Sequence, residues 1–287
     1  MKKALKSVSV NSNQVGRIAM KRMTISLVVF AGMFVVGAVP NAQARQCSNA
    51  SLKGAYGFHI GGTVLPGGTP RGILDRISFD GNGHFTDAIT FNDNGTITHR
   101  NDSGTYTVNA DCTGKFFTRA GIVPIVVVDA GKEFYQLNIG GSGVGGASSV
   151  IFLANSAKKQ FPDDHDQECS NASLKGAYGF FSGQTAVLPA GTRLAALGRV
   201  NFDGKGNFTR TVTLNDNGTV TQIHDFGPYT VNADCTGKIG ILGGTGAIEI
   251  VLVDRGNEFY QLQTAPSNIV FLFTVAKKQS PDDDDDQ

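Results

Sequence analysis

An internal duplication constrains this chain more than any other feature. The ten residues NASLKGAYGF occur unchanged at Asn49–Phe58 and again at Asn171–Phe180, in each case shortly after a cysteine. Further matched stretches follow in the same order, including Tyr106–Lys115 and Tyr229–Lys238. A unit of roughly 115 residues is therefore present twice, and that is the size of a small independent domain.

The residues before the first copy have the composition of a secretory signal peptide. Basic residues extend to Arg22, an uncharged apolar run covers Ile25–Val39, and a small-x-small site ends at Ala44. This order predicts cleavage after Ala44 and a secreted or periplasmic protein. The alternative is a membrane anchor, but this run is shorter than the roughly 20 apolar residues that a membrane-spanning helix needs. We expect no membrane span after cleavage.

The overall composition favours strands and excludes one class of partner. Glycine accounts for 37 of 287 residues and tryptophan is absent, which is typical of short strands joined by tight turns. Lys and Arg (25) nearly balance Asp and Glu (24). No basic surface for nucleic acid is therefore expected.

Turn residues divide each copy into eight segments of strand composition. Apolar and polar residues alternate between Tyr56 and Ile60 and again between Phe85 and Phe91, the pattern of a sheet with one buried face. Consecutive short strands of even number can close on themselves. We therefore predict an all-β protein of two tandem eight-stranded up-and-down antiparallel barrels, with β-sandwiches as the alternative. In the first copy the predicted strands lie near 54–60, 71–79, 84–91, 96–109, 115–119, 123–129, 132–139 and 149–157.

The predicted division of the chain follows from the repeat and its polar flanks. A signal peptide covers 1–44, the first barrel 46–160, an acidic linker 161–167, the second barrel 168–279 and a disordered acidic tail 280–287.

Four cysteines support one disulfide in each copy. In an oxidising compartment they should pair as Cys47–Cys112 and Cys169–Cys235, which close loops of 65 and 66 residues. Each such bond should stabilise its domain by about 4 kcal/mol. A zinc site is the alternative, but no C-x-x-C and no nearby histidine accompanies the cysteines.

The turns assign the two ends of the predicted barrel. The connections after strands 2, 4 and 6 are short Asp/Gly turns, and we expect them at a floor that the Cys47–Lys53 segment crosses. Differences in length between the copies fall at the opposite end, in or beside the connections 61–70, 121–124 and 140–147. This pattern is typical of a fixed scaffold with an adjustable mouth, although loops tolerate length changes in any case.

The motifs Leu52–Phe58, Phe79–Gly83 and Gly104–Gly114 resemble those of a broad group of secreted bacterial tandem-repeat β proteins. The resemblance covers nearly all of the mature chain, and its motifs carry no established chemistry. The barrel that it implies is similar in kind to lipocalin-like and allene-oxide-cyclase-like barrels, which hold apolar small molecules in the lumen. The lipocalin Gly-x-Trp signature is absent, so the resemblance transfers no functional residue.

Candidate site residues come from strand parity. Weak catalytic candidates are Glu133 and Glu258, because a carboxylate in an apolar lumen has a raised pKa suited to acid–base work; the alternative is a solvated or salt-bridged glutamate at the floor. Aromatic side chains on these strands could line a ligand pocket, with packing in the core as the alternative. These aromatic residues are Tyr56, Phe58, Tyr135, Tyr178, Phe180 and Tyr260.

Neither a metal site nor a cofactor is expected, since the histidines and aspartates lack ligand spacing. The function predicted is binding of a small apolar or amphipathic ligand in a barrel lumen. An isomerase- or cyclase-type enzyme and a structural or adhesive envelope module are the alternatives. The sequence does not identify a protein partner.

Overall fold

The computed structural model describes residues 46–64, 67–119, 121–137, 150–152, 155–161, 168–188, 192–270 and 273–279. These residues form strands and a few short 3₁₀ turns. The predicted signal peptide, the linker after Phe161 and the acidic tail lie outside this range. Among the described residues, no helix has the length and apolar character needed to cross a membrane.

The first copy forms a closed antiparallel barrel. The first seven strands, β1 to β7, pair in sequence order. The eighth place in the barrel is shared by two short strands, β8 and β9. β9 pairs with both β7 and β1 and so closes the barrel, and β8 pairs with β1 nearer the mouth. Two 3₁₀ turns, Asn49–Leu52 and Asp129–Gly131, lie at the floor. The strands are β1 Gly54–Val64, β2 Thr69–Phe79, β3 His84–Asp93, β4 Thr96–Val108, β5 Thr113–Thr118, β6 Gly121–Val128, β7 Glu133–Gln136, β8 Val150–Phe152 and β9 Asn155–Lys159.

The second copy repeats this topology and closes through β16, β18 and β10. The prediction of two tandem eight-stranded barrels is confirmed, and the sandwich alternative is wrong. The 3₁₀ turns of the second barrel are Asn171–Ser173, Leu242–Gly244 and Asp254–Gly256. Its strands are β10 Lys175–Val187, β11 Thr192–Asp203, β12 Asn207–Asp216, β13 Thr219–Val231, β14 Thr236–Ile241, β15 Gly246–Val253, β16 Glu258–Ala265, β17 Ile269–Val270 and β18 Phe273–Lys278.

Each barrel has one disulfide at its floor, with the predicted pairing. Cys47 bonds to Cys112 and Cys169 bonds to Cys235, with Cα–Cα distances of 5.0 and 4.9 Å. The segment after Cys47 crosses the floor as predicted, and it is held there because the Asn49 side chain accepts a hydrogen bond of 2.8 Å from the backbone N–H of Val108. The disulfides indicate an oxidising, extracellular or periplasmic environment.

Aromatic rings fill the floor half of each barrel. In the first barrel the ring of Phe79 lies at the centre, with centroid distances of 5.5 Å to Tyr56, 4.9 Å to Tyr106, 5.3 Å to Phe116 and 5.9 Å to Phe134. Three of these pairs are edge-to-face and the pair with Phe116 is tilted; aromatic pairs at these distances are favourable and leave little space between the rings. Phe202 has the same central place in the second barrel, among Tyr178, Tyr229 and Phe259.

Candidate functional site

Four of the predicted ligand-contacting aromatic residues lie in the barrel cores. Tyr56 and Phe58 belong to the core of the first barrel, and Tyr178 and Phe180 belong to that of the second. The hydroxyl of Tyr178 donates a hydrogen bond of 2.7 Å to the carbonyl oxygen of Gly256 in the floor turn. The structure thus places these rings in core packing, and a ligand-binding role for them stays a prediction.

The glutamate–tyrosine pair of the first barrel lies on its outer wall, which corrects the expectation of a shared lumen. Phe134 is fully buried in the core, so the alternation along β7 directs Glu133 and Tyr135 outward. Tyr135 is 51% exposed. Neither residue can act on a molecule inside this barrel.

The matching pair of the second barrel is also on the outer wall, where it meets the first barrel. Phe259 takes the core position, and Glu258 and Tyr260 are buried between the two barrels. Glu258 Oε2 lies 2.6 Å from Lys158 Nζ and 3.4 Å from Lys277 Nζ. Burial raises the pKa of the Tyr260 hydroxyl, and burial opposes a charged Lys158, whose pKa is nevertheless raised by its hydrogen bond to Glu258. This salt-bridged arrangement stabilises the contact between the barrels.

The interior of the first barrel contains a charged layer that sequence reasoning missed. Asp75 pairs across the sheet with Phe58, and Asp87 pairs with Asp102, so these carboxylates share the inner face of β2, β3 and β4. Arg100, which pairs with Ile89, lies on the same inner face. The layer lies on the mouth side of the aromatic rings.

The cations of this layer are directed to one carboxylate. Arg100 Nε lies 3.6 Å from Asp102 Oδ2, and Arg119 Nε lies 3.8 Å from Asp102 Oδ1. The guanidinium of Arg100 also lies 5.0 Å from the ring centroid of Phe91, within cation–π range. Asp102 therefore has two positive neighbours within 4 Å.

Asp75 and Asp87 have no comparable neutralisation. In both, Oδ1 is buried and has no hydrogen-bond partner among the described residues. Burial raises the pKa of Asp75 well above its usual value; the charge of Asp87 adds to this, and Arg100 opposes it. Burial, reinforced by the charge of Asp102, raises the pKa of Asp87 to about 6. Both carboxyls thus favour a proton, or another positive group, beside them.

Apolar side chains border the charged layer on the same inner face. Toward the mouth, Arg71 forms an ion pair with Asp93. The interior therefore changes from aromatic at the floor to mixed apolar and acidic in the middle. The bordering apolar residues are Ile60, Ile73, Ile89 and Phe91.

The second barrel has a balanced interior at the same level. Arg210 Nη2 lies 2.9 Å from Asp225 Oδ2, so the buried charges described there are matched. Gly198 and Ile223 stand where the first barrel has Asp75 and Arg100. The excess of carboxylates is thus specific to the first barrel.

The alternation of inward and outward residues along β2 gives a sequence signal for this charged layer. Ile73, Ile77 and Phe79 occupy one face, and Asp75 falls on that same apolar face. A carboxylate at a core-facing position is costly unless it is paired or functional. The pattern could therefore have identified Asp75.

A separate cavity of about 340 Å³ lies between the barrels. At its wall the Glu249 carboxylate accepts a hydrogen bond of 2.7 Å from Thr90 Oγ1 and lies 2.9 Å from His99 Nε2. These partners satisfy both oxygens of the carboxylate. Among the described residues, no group of three or more His, Cys, Asp or Glu side chains could hold a metal ion.

Comparisons with known proteins show low similarity. No family model matches the chain, and no curated protein matches it. A protein of Nitrosomonas europaea assigned as AttH aligns over 78% of this chain and 92% of its own, with 9% identity and a TM-score of 0.27. A porin-like protein of Bacteroides uniformis aligns over 77% and 95%, with 8% identity and a TM-score of 0.17. Neither value supports an argument about function.

Proposed function

We propose that this exported protein binds a small amphipathic molecule with a basic group, such as an alkylamine, inside the first barrel. The observation that carries the proposal is Asp75, which is 5% exposed and has an unpartnered carboxylate oxygen beside Asp87. A cation placed between the two carboxylates would supply the missing positive charge. The bordering Ile73 and Ile89 would contact its apolar part.

Energetics support a ligand more than a packing role. A buried carboxylate without a partner costs stability, and a solid barrel would gain by replacing it with an apolar residue. The second barrel has Gly198 at the position of Asp75, so the barrel fold does not require a carboxylate there. Residues that reduce stability are typical of functional sites.

The enzyme alternative loses its candidate groups, because Glu133 and Glu258 lie on the outer walls. Binding with Asp75 and Asp87 as the polar anchor needs no reaction step. Since a protonated carboxyl attracts a cation less, affinity for an amine should fall as the pH drops through the pKa of Asp87, about 6.

Isothermal titration calorimetry at neutral pH tests this proposal with octylamine, octanol and octanoate as probes. We expect octylamine to bind best, and Asp75→Asn and Asp87→Asn each to weaken its binding by about tenfold, or 1.4 kcal/mol. Asp216→Asn is the control, since it removes an exposed carboxylate at the mouth of the second barrel. Equal binding of the three probes, or unchanged octylamine affinity in both lumen variants, would refute the proposal.

A further inference from the structure

The two barrels contact each other through unlike surfaces. Face A is the outer wall of β1, β2 and β3 in the first barrel, and face B is the outer wall of β15 and β16 in the second. Face A includes Gly57, Leu74, Arg76, Thr90 and Asn92. Face B includes Val251, Val253, Glu258, Tyr260 and Leu262.

The apolar part of this contact is tightly packed. Leu74 of face A joins a buried cluster with Val251, Tyr260 and Leu262 of face B. Gly57 is needed at the centre, since a Cβ placed there would lie 2.5 Å from Val251 Cγ1 and 2.9 Å from Val253 Cγ1. The surfaces are therefore complementary in shape.

Polar groups of face A fix the register of the contact. Arg76 Nε donates to the carbonyl oxygen of Asp234 at 2.7 Å, and also to Gln160 Oε1 at 3.2 Å. Asn92 Nδ2 donates to the carbonyl oxygen of Ser267 at 3.0 Å, while Asn92 Oδ1 accepts from the N–H of Gly95 at 2.9 Å.

Because the chain is a duplication, each barrel has both faces, and only one of each is used within the chain. The unused face A, on the second barrel, includes Gly179, Leu197, Arg199, Thr213 and Asn215, the counterparts of the five residues named above. The unused face B, on the first barrel, consists of Val126, Val128, Glu133, Tyr135 and Leu137. Each residue is identical to its counterpart in the used face.

Exposure separates the used faces from the unused ones. In face A, Leu74 is 3% exposed and its counterpart Leu197 is 67% exposed. In face B, Tyr260 is 5% exposed and its counterpart Tyr135 is 51% exposed. Nothing lies within 4 Å of a Cβ built at Gly179, where Gly57 has no free space. The unused face A is therefore open on the second barrel, and the unused face B is open on the first.

The unused face A already has the side-chain arrangement of the used one. Arg199 Nε donates to Gln279 Oε1 at 2.8 Å, as Arg76 does to Gln160. Asn215 Oδ1 accepts from the N–H of Gly218 at 2.9 Å, as Asn92 does from Gly95. Little rearrangement is required for binding, which lowers its entropic cost.

The ten face residues are more alike between the copies than outward positions away from the contact are. The contact is not repeated at every position. His59, on the outer face of β1, corresponds to Phe181, and Val275, in the same buried cluster as Leu74, corresponds to Ser156. His99 and Glu249 correspond to Gln222 and Pro124, so that their ion pair is not reproduced. Outward positions away from the contact differ between the copies at Asn101 and His224, Ser103 and Phe226, Thr105 and Pro228, and Phe117 and Gly240.

We propose that the unused face A of one copy binds the unused face B of a second copy of this chain. The contact would repeat the one inside the chain, with Leu197 packed against Tyr135 and Leu137 and with Gly179 beneath Val126. Such a contact joins unlike surfaces, so it propagates into a closed ring or an open filament rather than a symmetric dimer.

Sedimentation velocity of the mature protein, from micromolar to near-millimolar concentration, tests the proposal. We expect the weight-average mass to rise at least twofold with concentration. Leu197→Asp, Gly179→Val and Leu137→Asp should each abolish the rise, because each blocks one face. Phe226→Asp is the control: it removes a side chain that is 76% exposed and lies outside both faces, and it should leave the rise unchanged.

Mixing the blocked variants gives a sharper result. Leu197→Asp retains a free face B and Leu137→Asp retains a free face A, so an equimolar mixture should form a heterodimer of two chains and nothing larger. Circular dichroism of each variant checks that the barrels remain folded. A wild-type chain that stays monomeric throughout, or an assembly that persists in the face variants, would overturn the proposal.

Discussion

Replacing Asp87 by asparagine is expected to stabilise the protein at neutral pH and to have little effect in acid. Burial, with the charge of Asp102, raises the pKa of this carboxyl from 3.8 to about 6. Between pH 3.8 and about pH 6, the folded state therefore keeps a proton on Asp87 that the unfolded chain has already released. A raised pKa in the folded state gives stability that is present below the unfolded pKa and is lost as the pH rises through the folded pKa.

The size of the effect follows from the pKa and the burial. A shift from 3.8 to about 6 corresponds to about 3 kcal/mol for a fully buried group. The Asp87 side chain is only partly buried, so solvent screening reduces this to about 1–2 kcal/mol. Asparagine has nearly the same shape, and the Asp87 Oδ1 atom that it alters has no hydrogen-bond partner among the described residues. The variant should be more stable than wild type by that amount at pH 7.

Urea unfolding between about pH 4 and pH 8 measures this difference. Wild type should lose about 1–2 kcal/mol relative to Asp87→Asn as the pH rises from 4 to 7. Hydrogen bonds in the floor turns lower the pKa values of Asp80 and Asp203 to about 2, so these groups titrate below this range and cancel in the comparison. Parallel profiles, or a variant that is less stable at pH 7, would show that ionisation of the partly buried Asp87 carboxyl does not reduce stability.

Equivalent residues of the used and unused faces can be compared in stability measurements, and the disulfide at the barrel floor allows one further test. Leu74→Ala should cost about 2–4 kcal/mol in urea unfolding, because its side chain is buried between the barrels, while Leu197→Ala should change stability by less than about 0.5 kcal/mol at a concentration where the chain is monomeric. Gly57→Val should destabilise by more than about 2 kcal/mol through its clash with Val251, whereas Gly179→Val should not, as compared by thermal unfolding at low concentration. Cys112→Ser should lower stability by about 2–4 kcal/mol, and the difference from wild type should disappear when both are reduced.

The fold could be predicted from the sequence because its signals are local and repeated. Turn residues at matching places in both copies mark the strands, and the spacing of Cys47 and Cys112 within one copy selects their pairing. The strands are longer than predicted where the pattern weakens: β1 continues to Val64 and β2 begins at Thr69, through a stretch with few large apolar residues.

The orientation of the seventh strand could not be predicted in the same way. Its residues Glu133–Leu137 contain an aromatic residue on each face, Phe134 and Tyr135, so alternation alone does not identify the inner one. Tyr135 and Leu137 are apolar for a different reason: their counterparts Tyr260 and Leu262 are buried by the other barrel. The contact between barrels depends on how two folded units pack, which no pattern within one strand reports.

The two proposed sites use opposite sides of the same strands, which makes them separable by mutation. Along β2, Asp75 points into the lumen, while Leu74 and Arg76 point to the other barrel. In the second copy the outward pair is the same, Leu197 and Arg199, although Gly198 stands between them in place of a carboxylate. Along this strand the two copies therefore share the outward residues and differ at the inward one. An assembly through the unused faces would carry one acidic lumen per chain, so a substitution at Asp75 should change ligand binding without changing sedimentation.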